Sequence, residues 1–548
     1  MFLLTSYFPL PTSHLMTSNS LRSQIGQMVV VRASGHLLDH QIRYPQWEAP
    51  QANLHRWITE WNVGGVILLG GTVAELALRT AQLQSWATTP LLIAADIEEG
   101  VGQRFPGATE LPPPMALQAI ANEAEGEEYA RQMGEITAQE SLALGLNWIL
   151  APVVDVNNNP ENPVINVRAF GEDAATVSRL ATAFIAGCHR HPVLTCAKHF
   201  PGHGDTSIDS HLELPEIPHG GDRLATVEIP PFAAAIAAGV DGVMSGHLMI
   251  PAWDDAAPAT LSQPILTGQL RQNLGFAGLI VTDALVMGGI APWASPEEVA
   301  VQAVAAGADI VLMPADPEQA ILAIEAAVLA GRIPPEQITA SVARIAAAKA
   351  QVIPPPGESV GDRLSRLHTP TSRNIVRQIL TASLRQGGTF TPKPEGSGSP
   401  LNMIVVGNVL NMPFLDLATP AIALPQALGY QHRIIEPPQL LEMAIPPAHP
   451  HNLLQLFIRG NPFRGTAGLA PAIQEQLKCL LQDRYFGALA LYGSPYLADW
   501  FSTNCDTALP WVFSYGQMPA AQDIVLNILL KQQISHSLHF QKFGDEFI

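Results

Sequence analysis

Between Ser23 and Pro314 the chain alternates short apolar runs with longer amphipathic segments rich in Ala, Leu and Glu. The short runs are Gln27 to Arg32, Gly65 to Leu69, Leu91 to Asp96, Leu146 to Val156, Val193 to His199, Gly242 to His247, Leu279 to Asp283 and Asp309 to Met313. Apolar, β-branched runs of this length fit strands buried on both faces, the condition of a parallel sheet. Helical spacing of apolar residues fills most of the intervals, at Leu54 to Trp61, Val73 to Trp86, Glu123 to Leu144, Ala174 to His189, Pro231 to Ala238 and Pro296 to Ala306. This alternation predicts an α/β fold, a (β/α)8 TIM-type barrel over 23–350 that ends in a helix at Gln337 to Ala350.

Polar residues interrupt the runs mainly at one end. Asp96, Asp155, Lys198, His199, His247 and Asp283 fall at or near the C-terminal ends of predicted strands. Charges there converge on one mouth, where barrels carry their chemistry.

Beyond the barrel, Pro-rich stretches at Val352 to Ser359 and Pro392 to Pro400 mark 351–400 as a linker with a connecting helix. Strand patterns at Asn402 to Val409, Gly487 to Tyr492 and Pro510 to Ser514, with helical patterns at Ala470 to Leu481 and Ala520 to Lys531, predict a smaller α/β, sandwich-like domain over 401–548. It shows no His, Asp and Glu cluster like the barrel's, so its expected role is structural or specificity-modulating.

At 548 residues and 47% hydrophobic, the chain can fill two cores. A net charge of −19, with 29 Lys and Arg, argues against nucleic acid or an anionic membrane surface as partner. Cys188, Cys196, Cys479 and Cys505 are scattered and form neither a disulfide framework nor a zinc spacing. Residues 1–22 read as a disordered leader. Their apolar start has no basic region and is broken by Pro9 and Pro11, so a cytoplasmic location is expected. No run reaches the ~18 apolar residues of a membrane span. Nothing in the pattern fixes an oligomeric state.

The densest chemistry is Lys198 to His211, which holds three His, two Asp and one Lys around a Pro-Gly-His-Gly turn. Asp209 and His211 lie two apart and share a face in extended backbone. A carboxylate beside an imidazole fixes its tautomer and makes a proton donor and acceptor near neutral pH. The same letters allow a metal reading through His199, His203, Asp205, Asp209 and His211. Lys198 also allows a Schiff-base lysine in a barrel lyase or aldolase.

Several motifs in this order resemble glycoside hydrolase family 3, in its β-N-acetylglucosaminidase branch. They are Ala95-Asp96-Ile97-Glu98-Glu99-Gly100 with Gln103-Arg104-Phe105, Ala151-Pro152-Val153-Val154-Asp155-Val156, Asn166-Val167-Arg168-Ala169-Phe170-Gly171, Lys198-His199-Phe200-Pro201-Gly202-His203-Gly204, Asp209-Ser210-His211, and Pro258-Ala259-Thr260-Leu261-Ser262. Val281-Thr282-Asp283-Ala284 fills the nucleophile turn, with Ala284 where a second Asp is frequent, and Val101-Gly102 departs in a neighbouring loop. The resemblance implies a retaining hydrolase with Asp283 as nucleophile, His211 as acid and base polarised by Asp209, and Asp96, Arg104, Arg168, Lys198 and His199 as sugar contacts. It implies no cofactor and no metal. The implied substrate is a small carbohydrate ending in β-linked N-acetylglucosamine, above all a muropeptide from peptidoglycan, with chitin oligomers behind. Glu98 and Glu99 read as structural loop carboxylates, and His203 as a loop organiser. His247 reads equally as a substrate contact or a core hydrogen-bonding group. Gly202 and Gly204 are expected to give the loop mobility. A β-glucosidase or β-xylosidase of the same family is the neighbouring reading, and a non-catalytic sugar-binding barrel a more distant one.

Overall fold

The computed structural model describes residues 18–352, 359–388, 399–408, 412–442, 451–460, 467–483, 485–505 and 508–534. The expected barrel is present. Its strands are β1 (Val29–Ser34), β2 (Gly65–Leu69), β3 (Leu92–Ala95), β4 (Trp148–Ile149), β5 (Leu194–Phe200), β6 (Gly242–Ser245), β7 (Leu279–Thr282) and β8 (Val311–Leu312). Neighbours pair in parallel in the order β7-β6-β5-β4-β3-β2-β1-β8, and a parallel bridge between Val281 and Ile310 closes the ring. Val, Ile and Leu dominate the strands because both faces are buried.

Two strands are shorter than the apolar pattern predicts. β4 stops after Ile149 because Pro152 has no N–H to donate, though the Ala151 and Pro152 carbonyls still accept from Cys196 and Lys198. β8 begins after Asp309, whose fully buried carboxylate accepts from Arg271, Arg344, Ser341 and the Ile280 amide. Asp309→Ala leaves two guanidinium groups without their shared partner and is expected to cost about 3–5 kcal/mol. Urea unfolding of the full chain, followed by barrel tryptophan fluorescence, measures it.

A helix at Ser18–Gln27 precedes β1 and buries Leu21 and Ile25 in the core, so the barrel's first element starts before the expected boundary at 23. The remainder of the expected leader, 1–17, lies outside the described residues.

The expected linker is divided. Positions 353–358 and 389–398 lie outside the described residues, whereas helices Val360–Leu364 and Pro370–Ala382 and strand β9 (Arg385–Gly387) occupy the part between. The His368 amide in that part donates to buried Glu140 of the barrel at 2.8 Å.

β9 already belongs to the second domain, as the antiparallel edge of a six-stranded sheet. The other strands, all parallel, are β10 (Leu401–Val406), β11 (Gln431–Ile435), β12 (Leu453–Ile458), β13 (Ala488–Gly493) and β14 (Trp511–Ser514), in the order β11-β10-β12-β13-β14-β9. Alternate residues serve two cores. Ile404, Phe457, Tyr492 and Val512 meet Ile422, Val525 and Leu526 on one face. Met403, Leu454, Leu456 and Leu491 meet Leu477 and Leu497 on the other, continuous with the barrel core. The predicted tail of this domain, 535–548, lies outside the described residues.

Candidate active site

Each predicted site residue lies at the C-terminal mouth of the barrel. Asp96 follows β3, Lys198 and His199 end β5, Asp209 and His211 lie on the loop after it, and Asp283 follows β7 directly. Arg104 and Arg168 come from the loops after β3 and β4.

Lys198 is buried between two carboxylates, with Nζ 2.8 Å from Asp96 Oδ1 and 2.6 Å from Glu98 Oε1. Burial opposes its charge, but Asp96 and Glu98 outweigh burial and hold its pKa above the ordinary value. A lysine held protonated is a hydrogen-bond donor and not the amine nucleophile of a Schiff base. Glu98 also receives a bidentate pair from Arg168, at 2.7 and 2.8 Å. Although burial would raise its pKa, Arg168 and Lys198 hold it well below the carboxylate range. Glu98 therefore joins two of the predicted sugar contacts, a role beyond that of a loop carboxylate. The signal in the sequence is its spacing, two residues beyond Asp96 and on the same side of extended backbone. Arg104 is exposed, and its Nε donates to the Asp96 carbonyl at 3.1 Å.

The histidines divide into a buried set and one at the surface of the mouth. Fully buried Asp155 accepts from His199 Nδ1 at 2.8 Å and from the His199 and His203 amides, fixing the turn. The His203 ring bonds Thr206 Oγ1 at 2.9 Å and Ser210 Oγ at 2.8 Å, and burial pushes its pKa down to about 4. His203 is a neutral loop organiser. His247 bonds Thr260 Oγ1 and the Ala284 carbonyl with no exposure, which makes it a core group against the turn that carries Asp283. Asp205 pairs with His219 at 2.7 Å, so the side chains of the metal reading go to separate protein partners.

The dyad forms, but through a turn and not the extended backbone that its spacing suggests: residues 210–211 turn, and the His211 amide donates to Asp209 Oδ1 at 2.9 Å. His211 Nδ1 is 2.9 Å from Asp209 Oδ1, the carboxylate is 1% exposed and the imidazole 18%. Asp283 lies among the histidines. Burial would raise its pKa, but His199, His247 and His211 outweigh burial and hold the carboxyl below its ordinary range. The Ala284 amide donates to Asp283 Oδ1 at 2.7 Å, a bond that needs only the backbone of the position where the second Asp is missing.

Gly204 has a packing reason beyond mobility, since a Cβ there would stand 1.7 Å from the Val156 carbonyl oxygen. Gly202 has φ +134° and lies against Glu228.

The second domain reaches the rim of the mouth. Arg459, just past β12, forms a two-armed pair with buried Glu99, one arm at 2.9 Å. Gly460 lies against Asn166, and the Tyr496 hydroxyl accepts from Asn157 at 2.6 Å. Glu110 stands near, its pKa pushed up to about 7 by burial and then by Glu99, with Arg459 acting against them. The strand-end rule that found Lys198 also covers Arg459, but β12 was not among the predicted strands.

Two anionic and two cationic groups neutralise one another around Lys198, while Asp283 and the dyad stand alongside. Such a mouth offers donors and acceptors to a neutral hydroxylated ligand, together with a carboxylate and an imidazole for bond cleavage.

Comparison with known proteins agrees. β-Hexosaminidase A of Pseudoalteromonas piscicida is 35% identical over 364 residues, 61% of this chain and 60% of that protein. The β-N-acetylglucosaminidase/β-glucosidase of Cellulomonas fimi is 33% identical over 350 residues, 60% of each. The matches thus span three fifths of the length of these two curated relatives. The structure of a glycoside hydrolase family 3 β-N-acetylglucosaminidase from a Paenibacillus species superposes with a TM-score of 0.75 at 30% identity, covering 93% of this chain and 97% of that one. Residues 20–348 match the N-terminal domain of glycosyl hydrolase family 3, residues 394–531 match its bacterial C-terminal domain, and the chain belongs to this family.

Proposed function

We propose that the chain is a β-N-acetylhexosaminidase that removes terminal β-linked N-acetylglucosamine with retention of configuration. The observation that carries the mechanism is the Asp209–His211 pair at 2.9 Å, with Asp283 inside the field of the same imidazole. In the first step an Asp283 oxygen bonds the anomeric carbon as the glycosidic C–O bond breaks. Protonated His211 gives its Nε2 proton to the leaving oxygen, because Nδ1 faces Asp209. In the second step His211 takes a proton from water, the water oxygen bonds the anomeric carbon, and Asp283 leaves as a carboxylate. Asp96 accepts from sugar hydroxyls, while Lys198, Arg168, Arg104 and His199 donate to the ring substituents.

Peptidoglycan fragments are the proposed natural substrate, and the cytoplasm the proposed compartment. All four cysteines are free, the state that a reducing compartment maintains.

Aryl β-glycosides of N-acetylglucosamine, glucose and xylose test the specificity. The acetamido sugar is expected to give the highest kcat/KM, and a preference for glucose would favour the glucosidase reading that half the name of the Cellulomonas relative carries. With an activated aryl leaving group that needs no proton, the acid limb of kcat/KM reports the nucleophile alone. Its lowered pKa places that limb below about 3.9, so activity persists through pH 4.5. A limb near pH 6 on such a substrate would contradict this assignment.

A further inference from the structure

The loop that follows the nucleophile strand runs under the dyad turn and touches it at two places. The Gly288 amide donates to the His211 carbonyl, and the Gly289 amide to the Ser210 carbonyl, both at 3.1 Å. The turn closes on itself through the Leu212 and Glu213 amides, which both donate to the Asp209 carbonyl at 2.9 Å. His203 holds Ser210 Oγ from below. The dyad turn is thus clamped between His203 of its own loop and a strip of backbone that begins five residues after Asp283.

That approach requires glycine. A Cβ on residue 288 would stand 2.6 Å from the His211 carbonyl oxygen and 3.0 Å from that of Leu212. On residue 289 it would stand 2.5 Å from the Ser210 oxygen and 2.8 Å from that of Glu213. Each obstacle is backbone, which cannot swing aside as a side-chain tip can. Neither residue has a positive φ, so close approach and not conformation is what the missing side chains supply.

We infer that Gly288 and Gly289 are positioning residues that set the distance between proton donor and nucleophile by tying the dyad turn to the nucleophile's own loop. The inference rests on the reading of His211 as the proton donor. A shift of the turn on the order of 1 Å misplaces the imidazole relative to the leaving oxygen and costs about 10²-fold in rate. Asp283, held by the Ser245 carbonyl and its own turn, stays in place. The loss therefore falls on substrates whose departure needs a proton.

The test compares Gly288→Ala, Gly289→Ala and His211→Ala in the full chain, on an alkyl β-N-acetylglucosaminide and on an activated aryl one. The glycine variants are expected to lose about 10²-fold on the alkyl substrate and less than about 3-fold on the aryl one. In a His211→Ala background, Gly288→Ala is expected to add no further loss on the alkyl substrate. Equal losses on both substrates, or a full further loss in the double variant, would overturn the inference while leaving the donor role of His211 intact. If His211→Ala itself hydrolyses the alkyl substrate at the wild-type rate, the donor role and this inference fall together. Should the alanine variants not fold, amide hydrogen exchange on the unaltered chain decides. Segments 209–213 and 288–289 are expected to be protected together, and rapid exchange at 288–289 refutes the clamp.

Discussion

Asp283→Ala is expected to lower kcat by about 10⁴-fold or more on every glycoside the enzyme cleaves, activated or not. In the proposed mechanism this carboxylate forms the bond that replaces the glycosidic bond, and no second carboxylate stands in the turn to substitute for it, because position 284 is alanine. The histidines around it outweigh its burial and hold it ionised, so the variant removes a buried negative charge from the centre of the mouth. Binding of the intact sugar is expected to change far less than kcat, since Asp96, Lys198 and Arg168 stand apart from the substitution. Steady-state kinetics with azide as an external nucleophile completes the check. Azide is expected to restore turnover and to yield a glycosyl azide of inverted configuration, and failure of Asp283→Ala to lose activity would remove Asp283 from the nucleophile role.

Glu98→Ala has the second largest expected effect, and on both stability and recognition. Glu98 is the buried anion paired with both Lys198 and Arg168, and its removal leaves two cations with only the weaker support of Asp96 and Asp155. Breaking such a buried pair from one side costs about 3–5 kcal/mol. The freed Lys198 and Arg168 lose their fixed directions, so kcat/KM is expected to fall about 10²-fold or more, with much of the change in KM. Glu98→Gln keeps the shape and is expected to fall between wild type and the alanine variant. The pH dependence has a defined sign. The folded pKa of Glu98 lies below its unfolded value, so its contribution is complete above about 4.3 and is lost as pH falls toward the folded value. Urea midpoints at pH 7 and pH 3.5 are therefore expected to differ less in Glu98→Ala than in wild type.

The barrel was legible in the sequence because buried parallel strands must be apolar and a charge at a strand tip is conspicuous. Asp96, Lys198, His199 and Asp283 announced themselves in this way. Asp209 and His211 do meet, though by a turn in which the His211 amide donates to Asp209 Oδ1, where the spacing suggests extended backbone. The sequence was silent where polar residues serve the interior. Gln455 breaks the run Leu453 to Ile458, yet it is buried and donates to Asn402 Oδ1 and the Ala421 carbonyl, so β12 went unseen. β11 is an edge strand with exposed residues at its start, and no apolar run marks it. Arg459 and Glu99 are 360 positions apart, and only the docking of one domain on the other pairs them.

That pairing bears on how such a protein could be assembled from parts. Glu99 and Glu110 come from the barrel, and the guanidinium that answers them comes from its companion. The charge balance at the seam is thus set by both halves together. A foreign companion grafted at the same place, with an uncharged side chain where Arg459 stands, would remove the guanidinium that pairs Glu99 and opposes burial at Glu110, and drive Glu110 further toward its protonated form. The barrel and its companion are in this respect not interchangeable modules, and a change on one side of the seam calls for a matching change on the other.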